Sequence, residues 1–258
     1  MSSGFDTGAF FDDEAESYDA LHDRVDPALN ALHLRIAAAI RMLGERPGAV
    51  LDCGMGPGRL LAELERRGWS VSGVDLSPEM VALARARIPQ CADRLVQGSA
   101  ESLPFSSRSF DGVVATGVFE YVEDLPKAIG EVARVLRPGG VFVVSMPNTR
   151  APAVFWRHRV MYAAVRRVKA RLPVGQRVPL PRPGLVSLRA LERLLDDAGL
   201  RVQGLEYMIL APTALRRIAP SLAAKAADRL QRLGSRSGAI LSAQYVLAAR
   251  RECGSEPA

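Results

Sequence analysis

Residues 50–58 read Val-Leu-Asp-Cys-Gly-Met-Gly-Pro-Gly, an apolar run that ends on a carboxylate and enters a turn with glycine at every second position. Glycines so spaced bring the main chain close to a ligand and allow backbone angles that other residues avoid. Placed at the carboxyl end of a parallel strand, such a turn lies where open α/β sheets bind nucleotide-like ligands. The dinucleotide fingerprint G-x-G-x-x-G needs a third glycine for close helix–strand packing, and counted from Gly54 that place is Arg59. Asp52 would repel a pyrophosphate and suits a cation. S-adenosylmethionine, a sulfonium and an ammonium without phosphate, fits both observations. Asp75 closes the next apolar run, where a carboxylate can accept from both ribose hydroxyls, a place shared with NAD enzymes. An ordinary glycine turn, with Asp75 a neighbour of a helix cap, is the alternative.

The elements that must position these residues follow from periodicity. Residues 10–45 read as helices, with Leu29, Leu32, Ile36 and Ile40 at helical spacing until Pro47-Gly48 breaks the pattern. Strands are predicted over 49–53, 69–74, 94–97, 110–115 and 141–146, and helices over 59–67, from Ser77 and Pro78 through 87, and over 125–136, the last stopped by Arg137-Pro138-Gly139-Gly140. After residue 186 come a helix begun by Ser187 and closed by Gly199, a strand over 200–207, helical pattern over 212–233 and a last strand over 240–248. Alternating strands and helices predict an α/β fold, a Rossmann-like doubly wound sheet with helices on both faces.

Composition bounds the rest. The 258 residues, 48% hydrophobic and 24% charged, suffice for one α/β domain. No apolar run reaches the roughly 20 residues of a membrane span, and the acidic N-terminus lacks a signal peptide's basic and apolar regions, so a cytoplasmic location is expected. Cys53, Cys91 and Cys253 are odd in number and scattered, which predicts two small buried residues and a tail thiol rather than disulfides or a metal site. The net charge of +6 divides unevenly: residues 1–149 sum to −7 and residues 150–258 to +13. A basic second half suggests an anionic partner or a membrane surface.

Five segments, VLDCGMGPGRLL, VSGVDLSPEMVALAR, QGSAESLPF, SFDGVVATGVFEYVED and VLRPGGVFVVSMPN, stand in an order and spacing that resembles class I S-adenosylmethionine-dependent methyltransferases of the ubiquinone- and menaquinone-biosynthesis type, the methyltransferase type 11 group. The resemblance covers about residues 10–148 strongly and 187–250 more loosely. It implies a seven-stranded, mostly parallel sheet with an antiparallel last strand, and S-adenosyl-L-methionine as cofactor. It divides the single domain into a helical lid (1–46), a cofactor core (47–148), an acceptor insert (149–186) and a C-terminal part of the sheet (187–251) with a helical insert (211–236). It implies that Asp52, Gly54, Met55, Gly56 and Gly58 line the methionine end, that Asp75 takes the ribose, and that Leu76 and Met80 flank the adenine. Ser99, Ala100 and Glu101 match the loop beside the adenine amine, Thr116 and Gly117 approach the methionine or the methyl group, and Phe11 and Tyr18 match aromatic lid residues. Three positions depart from the pattern. Ser99 replaces the usual Asp, a weaker acceptor; Met55 replaces a common Cys; Tyr121 replaces a frequent His, removing the obvious general base.

An oxygen acceptor must lose its proton. Of the three histidines, His22 in the expected lid is the candidate base, with a surface helix histidine as the alternative; His158 in the basic insert is placed to contact the acceptor, His33 among alanines and leucines reads as structural, and Tyr121 is a catalytic candidate that would orient the acceptor. The alternative for Tyr121 is an ordinary aromatic wall, and Glu120 reads as a pairing or capping residue. The stretch AVFWRHRVMYAAVRRVKARL within 151–182 is amphipathic and cationic, which suits an anionic lipid surface or a lipid-linked acceptor, or else a solvated lid. Nucleic acid is disfavoured, since no recognition motif is present. The expected function is methyl transfer to a small-molecule or lipid-like acceptor, at oxygen. The alternative is a non-catalytic cofactor-binding or regulatory subunit of a biosynthetic complex.

Overall fold

The structure, a computed structural model, describes residues 8, 11, 12, 15, 31–152, 154, 184–208 and 242–253. Helix α1 (Ala31–Leu43) leads into β1 (Ala49–Cys53), α2 (Arg59–Arg66), β2 (Ser70–Asp75), α3 (Pro78–Arg87), a 3-10 turn (Pro89–Arg94) and β3 (Leu95–Gln97). Then follow β4 (Phe110–Thr116), α4 (Leu125–Val135), β5 (Leu136–Pro147), α5 (Leu188–Asp197), β6 (Leu200–Met208) and β7 (Gln244–Arg251). The helix starts are capped by side chains that accept orphan amides. Ser77 accepts from the Met80 amide at 3.1 Å, Asp124 from Lys127 at 3.0 Å and Ser187 from Ala190 at 3.2 Å.

The seven strands lie in the order β3-β2-β1-β4-β5-β7-β6. All pairs from β3 to β5 are parallel, while β7 runs antiparallel to both β5 and β6. This is the expected Rossmann-like doubly wound sheet with its antiparallel last strand. Both faces are covered, which is why the central strands are apolar runs. Alternate side chains go to opposite layers. On one face Val113, Phe142, Val144 and Leu247 pack with Ile129 and Val132 of α4 and Leu191 and Leu195 of α5. On the other, Val50, Val71, Val114, Val143 and Val246 pack with Ala38, Ala39 and Leu43 of α1, Leu61 and Leu64 of α2, and Ala84 of α3. Strand order reverses between β1 and β4, so a crevice opens at their carboxyl ends.

Two strands differ from the sequence reading by more than a residue at an end. Strand β5 begins at Leu136, five residues early, because Leu136 pairs with Phe110 before Arg137–Gly140 bulge out opposite Asp111 and pairing resumes at Val141 with Gly112. Arg137 Nη1 holds that bulge on Asp111 Oδ2 at 2.6 Å, and Gly139 takes a φ of 80°. The last strand begins at Gln244 and runs to Arg251, rather than over 240–248. The chain ahead of it is held by side-chain bonds instead of a ladder: Ser242 Oγ donates to the Met208 carbonyl at 2.7 Å, and Asn148 Nδ2 donates to the Ser242 carbonyl at 2.8 Å. The far end extends because β7 is paired on both sides to its last residues. The expected helical pattern over 212–233 and most of the lid and basic insert lie outside the described residues. Cys53 and Cys91 are buried and Cys253 is exposed, all as free thiols. Among the described residues no helix is long and apolar enough to cross a bilayer, and no three His, Cys, Asp or Glu side chains gather as a metal site.

Candidate active site at the carboxyl rim of the sheet

Strands β1, β2, β3 and β4 end side by side, so the segments that leave them share one rim. Asp52, Gly54–Gly58, Asp75–Met80, Ser99–Glu101 and Thr116–Tyr121 all belong to those segments. The parallel topology brings together residues that stand up to 69 positions apart in the chain.

The turn after β1 is drawn onto β2. The amides of Gly54 and Met55 both donate to the Val74 carbonyl, at 2.7 and 3.2 Å. Gly54 has a φ of 73°, and a Cβ on it would stand 2.1 Å from Val118 Cγ2. Gly58, with a φ of 76°, starts α2, and a Cβ there would stand 3.0 Å from that of Ala84 in α3. Gly58 therefore performs the close-packing task that the dinucleotide fingerprint gives to a glycine one place later. Gly56 differs from both: no atom lies within 4 Å of a Cβ built on it, so its main chain faces open space. Met55 is buried against Gly73, with Sδ 2.3 Å from a Cβ built there, leaving its main chain to face the rim.

The two carboxylates of the rim are in different states of satisfaction. Asp75 accepts from Gly56 N–H through Oδ2 at 2.8 Å and from Ser77 N–H through Oδ1 at 3.0 Å. Burial nevertheless pushes its pKa up against those bonds, with Asp12 adding a further upward push. Asp52 is 3% exposed, and its Oδ1 has no hydrogen-bond partner among the described residues. Burial raises its pKa well above the ordinary carboxylate range, and the charge of Asp75 raises it further. A buried oxygen without a partner is costly, at about 1–3 kcal/mol, and marks a place for a cation or donor from outside.

The remaining rim residues divide by what already occupies them. Leu76 is 46% exposed beside the turn, an unusual place for leucine, whereas Met80 is buried beneath it. Ser99 Oγ accepts from the Glu101 amide at 3.1 Å, and Ala100 packs into the core. The Glu101 carboxylate accepts the amides of Glu123 and Asp124 at 2.8 and 3.2 Å, tying the β3 loop to the approach of α4. Thr116 ends β4, and Gly117, with a φ of 77°, donates to Ser145 Oγ at 2.9 Å. Tyr121 meets Phe11 edge to face, ring centres 5.8 Å apart. Tyr18 and His22 lie outside the described residues.

Two residues join the rim that the sequence reading did not single out. Asp12, next to Phe11, accepts from Ser77 Oγ, so consecutive residues grip opposite walls of the crevice above β1. Arg35 of α1 is 9% exposed, and its Nη1 lies 2.2 Å from where a Gly117 Cβ would be. Its signal in the sequence is a single arginine inside the apolar run Ala-Leu-His-Leu-Arg-Ile-Ala-Ala.

Residues 51–144 match the family model described as Methyltransferase domain. The chain is 35% identical over 157 residues to demethylmenaquinone methyltransferase of Chlorobaculum tepidum, which covers 59% of this chain and 64% of that protein. It is 40% identical over 114 residues to malonyl-[acyl-carrier protein] O-methyltransferase of Enterobacter lignolyticus, covering 43% and 45% respectively. The chain thus spans less than two thirds of the length of these relatives. Among solved structures, an S-adenosylmethionine-dependent methyltransferase of Thermotoga maritima superposes with a TM-score of 0.59 at 18% identity, over 95% of this chain and 99% of that one, a likeness of fold.

Proposed function

We propose that the chain, whose residues 51–144 match a methyltransferase domain, transfers a methyl group from S-adenosylmethionine to a small or lipid-like acceptor, at oxygen. The observation that carries this reading is Asp52: a buried carboxylate with an oxygen unpartnered among the described residues, beneath a close-approach glycine turn, suits a cationic nucleoside and disfavours a pyrophosphate. The open space over Gly56 and the remaining acceptor capacity of Asp75 fit the same ligand.

The cofactor, when bound, supplies a methyl group already activated by its sulfonium. The chain's own residues then have three tasks. Asp75, held by the Gly56 and Ser77 amides, accepts from ribose hydroxyls, and Leu76 with Met80 flanks the base. Asp52 places negative charge under the methionine end, and Gly54 and Gly58 keep the main chain close. Ser99, Ala100 and Glu101 border the adenine edge, Thr116 and Gly117 approach the methionine or the methyl group, and Tyr121 faces the acceptor. Holding the acceptor in line with the methyl group contributes up to about 7–11 kcal/mol, and a base adds about 10²–10⁴-fold. His22 takes that proton in this reading, and Tyr121 orients the acceptor.

Residues 1–46 serve as the lid, with Phe11 and Tyr18 its aromatic members, and 149–186 as the acceptor insert. The excess of basic residues after position 150 supports an anionic acceptor and peripheral membrane contact through 151–182. The named acceptors of the two relatives, a menaquinone precursor and a malonyl group on carrier protein, support the lipid-like class. The test is an acceptor screen with methyl-labelled cofactor, read as label transfer and release of S-adenosylhomocysteine. Cofactor binding without any release across quinols, hydroxylated lipids and carrier-bound acids would favour a non-catalytic subunit.

A further inference from the structure

The amino end of the sheet lies about 20 Å from the rim along the seven residues of β4. Strands β4 and β5 begin there, and antiparallel β7 ends there. Arg251, the last residue of β7, is 3% exposed. Its Nη1 donates to the Leu136 carbonyl and, at 3.4 Å, to that of Arg134. Among the described residues no acceptor meets its Nε or Nη2, and no carboxylate pairs with it. Burial, then the positive charge of Arg108, pull its pKa below the ordinary guanidinium value. Arg108 comes to the same corner from the loop before β4. Its amide donates to the Arg134 carbonyl at 2.9 Å, and the Ser109 amide donates to that of Val135 at 2.8 Å. Arg108 is the one residue other than glycine among those described with a positive φ, 55°. A residue with a side chain keeps that conformation only where its surroundings hold it there.

Carboxylates at this edge are spent on other arginines: Asp111 on Arg137 at 2.6 Å, Glu131 on Arg134 at 2.7 Å, and Asp196 and Glu252 on Arg201 at 2.6 and 2.7 Å. The end of α4 offers Arg251 only the partial charge of its last carbonyls, about half an elementary charge. A buried guanidinium with a second one beside it is left short of negative charge. A phosphate dianion balances two guanidiniums, and its oxygens match their planar forks. The burial of Arg251 admits a small group and excludes a membrane surface. We propose that Arg108 and Arg251 form a binding site for a phosphate or a phosphoryl group at the amino end of β4, β5 and β7, remote from the rim. An anion bound there ties the end of β7, the corner between α4 and β5, and the loop before β4 to one another. The inference does not depend on the methyltransferase reading.

The test is calorimetry on the full chain, with inorganic phosphate exchanged for chloride at constant ionic strength. Saturable binding of one phosphate is expected, together with a Tm that rises with phosphate. Arg108→Asn, which tolerates the left-handed backbone, should weaken phosphate binding by about tenfold or more, the value of a charge-assisted hydrogen bond. Its affinity for S-adenosylhomocysteine should stay unchanged, since the rim lies at the other end of the strands. Arg251→Lys should also lose phosphate affinity, because an ammonium lacks the fork. Should that buried variant fail to fold, the exposed Arg108→Asn decides alone. Glycerol 3-phosphate is titrated alongside: tighter binding than phosphate assigns the site to a phosphorylated metabolite, and weaker binding assigns it to the free ion. No binding beyond that of chloride overturns the proposal, as does wild-type phosphate affinity in Arg108→Asn. An equal loss in Arg137→Gln, whose guanidinium is already paired with Asp111, also overturns it, since the attraction is then diffuse.

Discussion

The Gly56 amide donates to Asp75 Oδ2 across 2.8 Å, which locks the turn after β1 to the end of β2. The bond joins a glycine whose main chain faces open space to the carboxylate proposed for the ribose. It means that Asp75 shapes the turn as well as facing a ligand.

Replacing Asp75 with Ala is expected to weaken S-adenosylhomocysteine binding by about 1.5–3 kcal/mol, the range for hydrogen bonds to a charged group. Asp75→Asn should lose less, since its carbonyl oxygen still accepts. Titration calorimetry on both variants checks this, and wild-type affinity in Asp75→Ala rejects the assignment.

Asp52 ties stability to pH. Burial, and then the charge of Asp75, raise its folded pKa above the unfolded value. The folded state therefore binds more protons than the unfolded state once pH exceeds the ordinary carboxylate value of about 3.9. Stability should fall as pH rises from there through the raised pKa, and the penalty is absent below that window. Asp52→Asn should thus be more stable than wild type at neutral pH without ligand, yet bind the cofactor more weakly. Urea unfolding at mildly acidic and neutral pH, with and without S-adenosylhomocysteine, separates the two effects.

Gly54→Ala combines a positive φ with a contact of 2.1 Å to Val118, so both backbone and packing oppose it. A loss of about 1–3 kcal/mol follows from the backbone conformation alone. Gly56→Ala shares the positive φ but meets open space, so its stability loss should be smaller while its cofactor affinity suffers more. Thermal unfolding and calorimetry of the pair reveal whether the losses divide in this way.

The grip of Phe11 on Tyr121 and of Asp12 on Ser77 spans the mouth of the crevice. Asp12→Ala and Phe11→Ala are each expected to speed both entry and release of S-adenosylhomocysteine by about tenfold, as loss of one charge-assisted or aromatic contact allows. Stopped-flow fluorescence gives both rates. A change in release alone, with entry unaltered, would make these residues simple ligand contacts.

His22→Ala should lower turnover by about 10²-fold or more, with cofactor affinity unchanged, if an oxygen acceptor gives up its proton there. Unaltered turnover with the physiological acceptor removes His22 from the mechanism.

Much of the fold was legible in the chain because its signals are short-ranged. Ser77 and Ser187 mark helix starts through bonds to residues three positions on. The strands ending at Asp52-Cys53 and Asp75 announce themselves as apolar runs closed by carboxylates, and the right-handed crossover rule orders them. Boundaries failed where a distant partner decided them. Leu136 is a strand residue because Phe110 lies beside it, and Ser242 and Ala243 stay outside β7 while Ser242 spends its hydroxyl on Met208.

By itself the sequence determined the local chemistry: which residues turn, cap, alternate and carry charge, and hence that a cationic nucleoside suits the turn after Asp52. Tertiary structure alone decided which distant residues meet. It set Arg35 on Gly117, Asp12 on Ser77 and Val118 against Gly54, pairs separated by 82, 65 and 64 positions. Contacts at that separation depend on how helices and strands stack, which periodicity does not encode, and burial then settles which carboxylate or guanidinium lacks a partner.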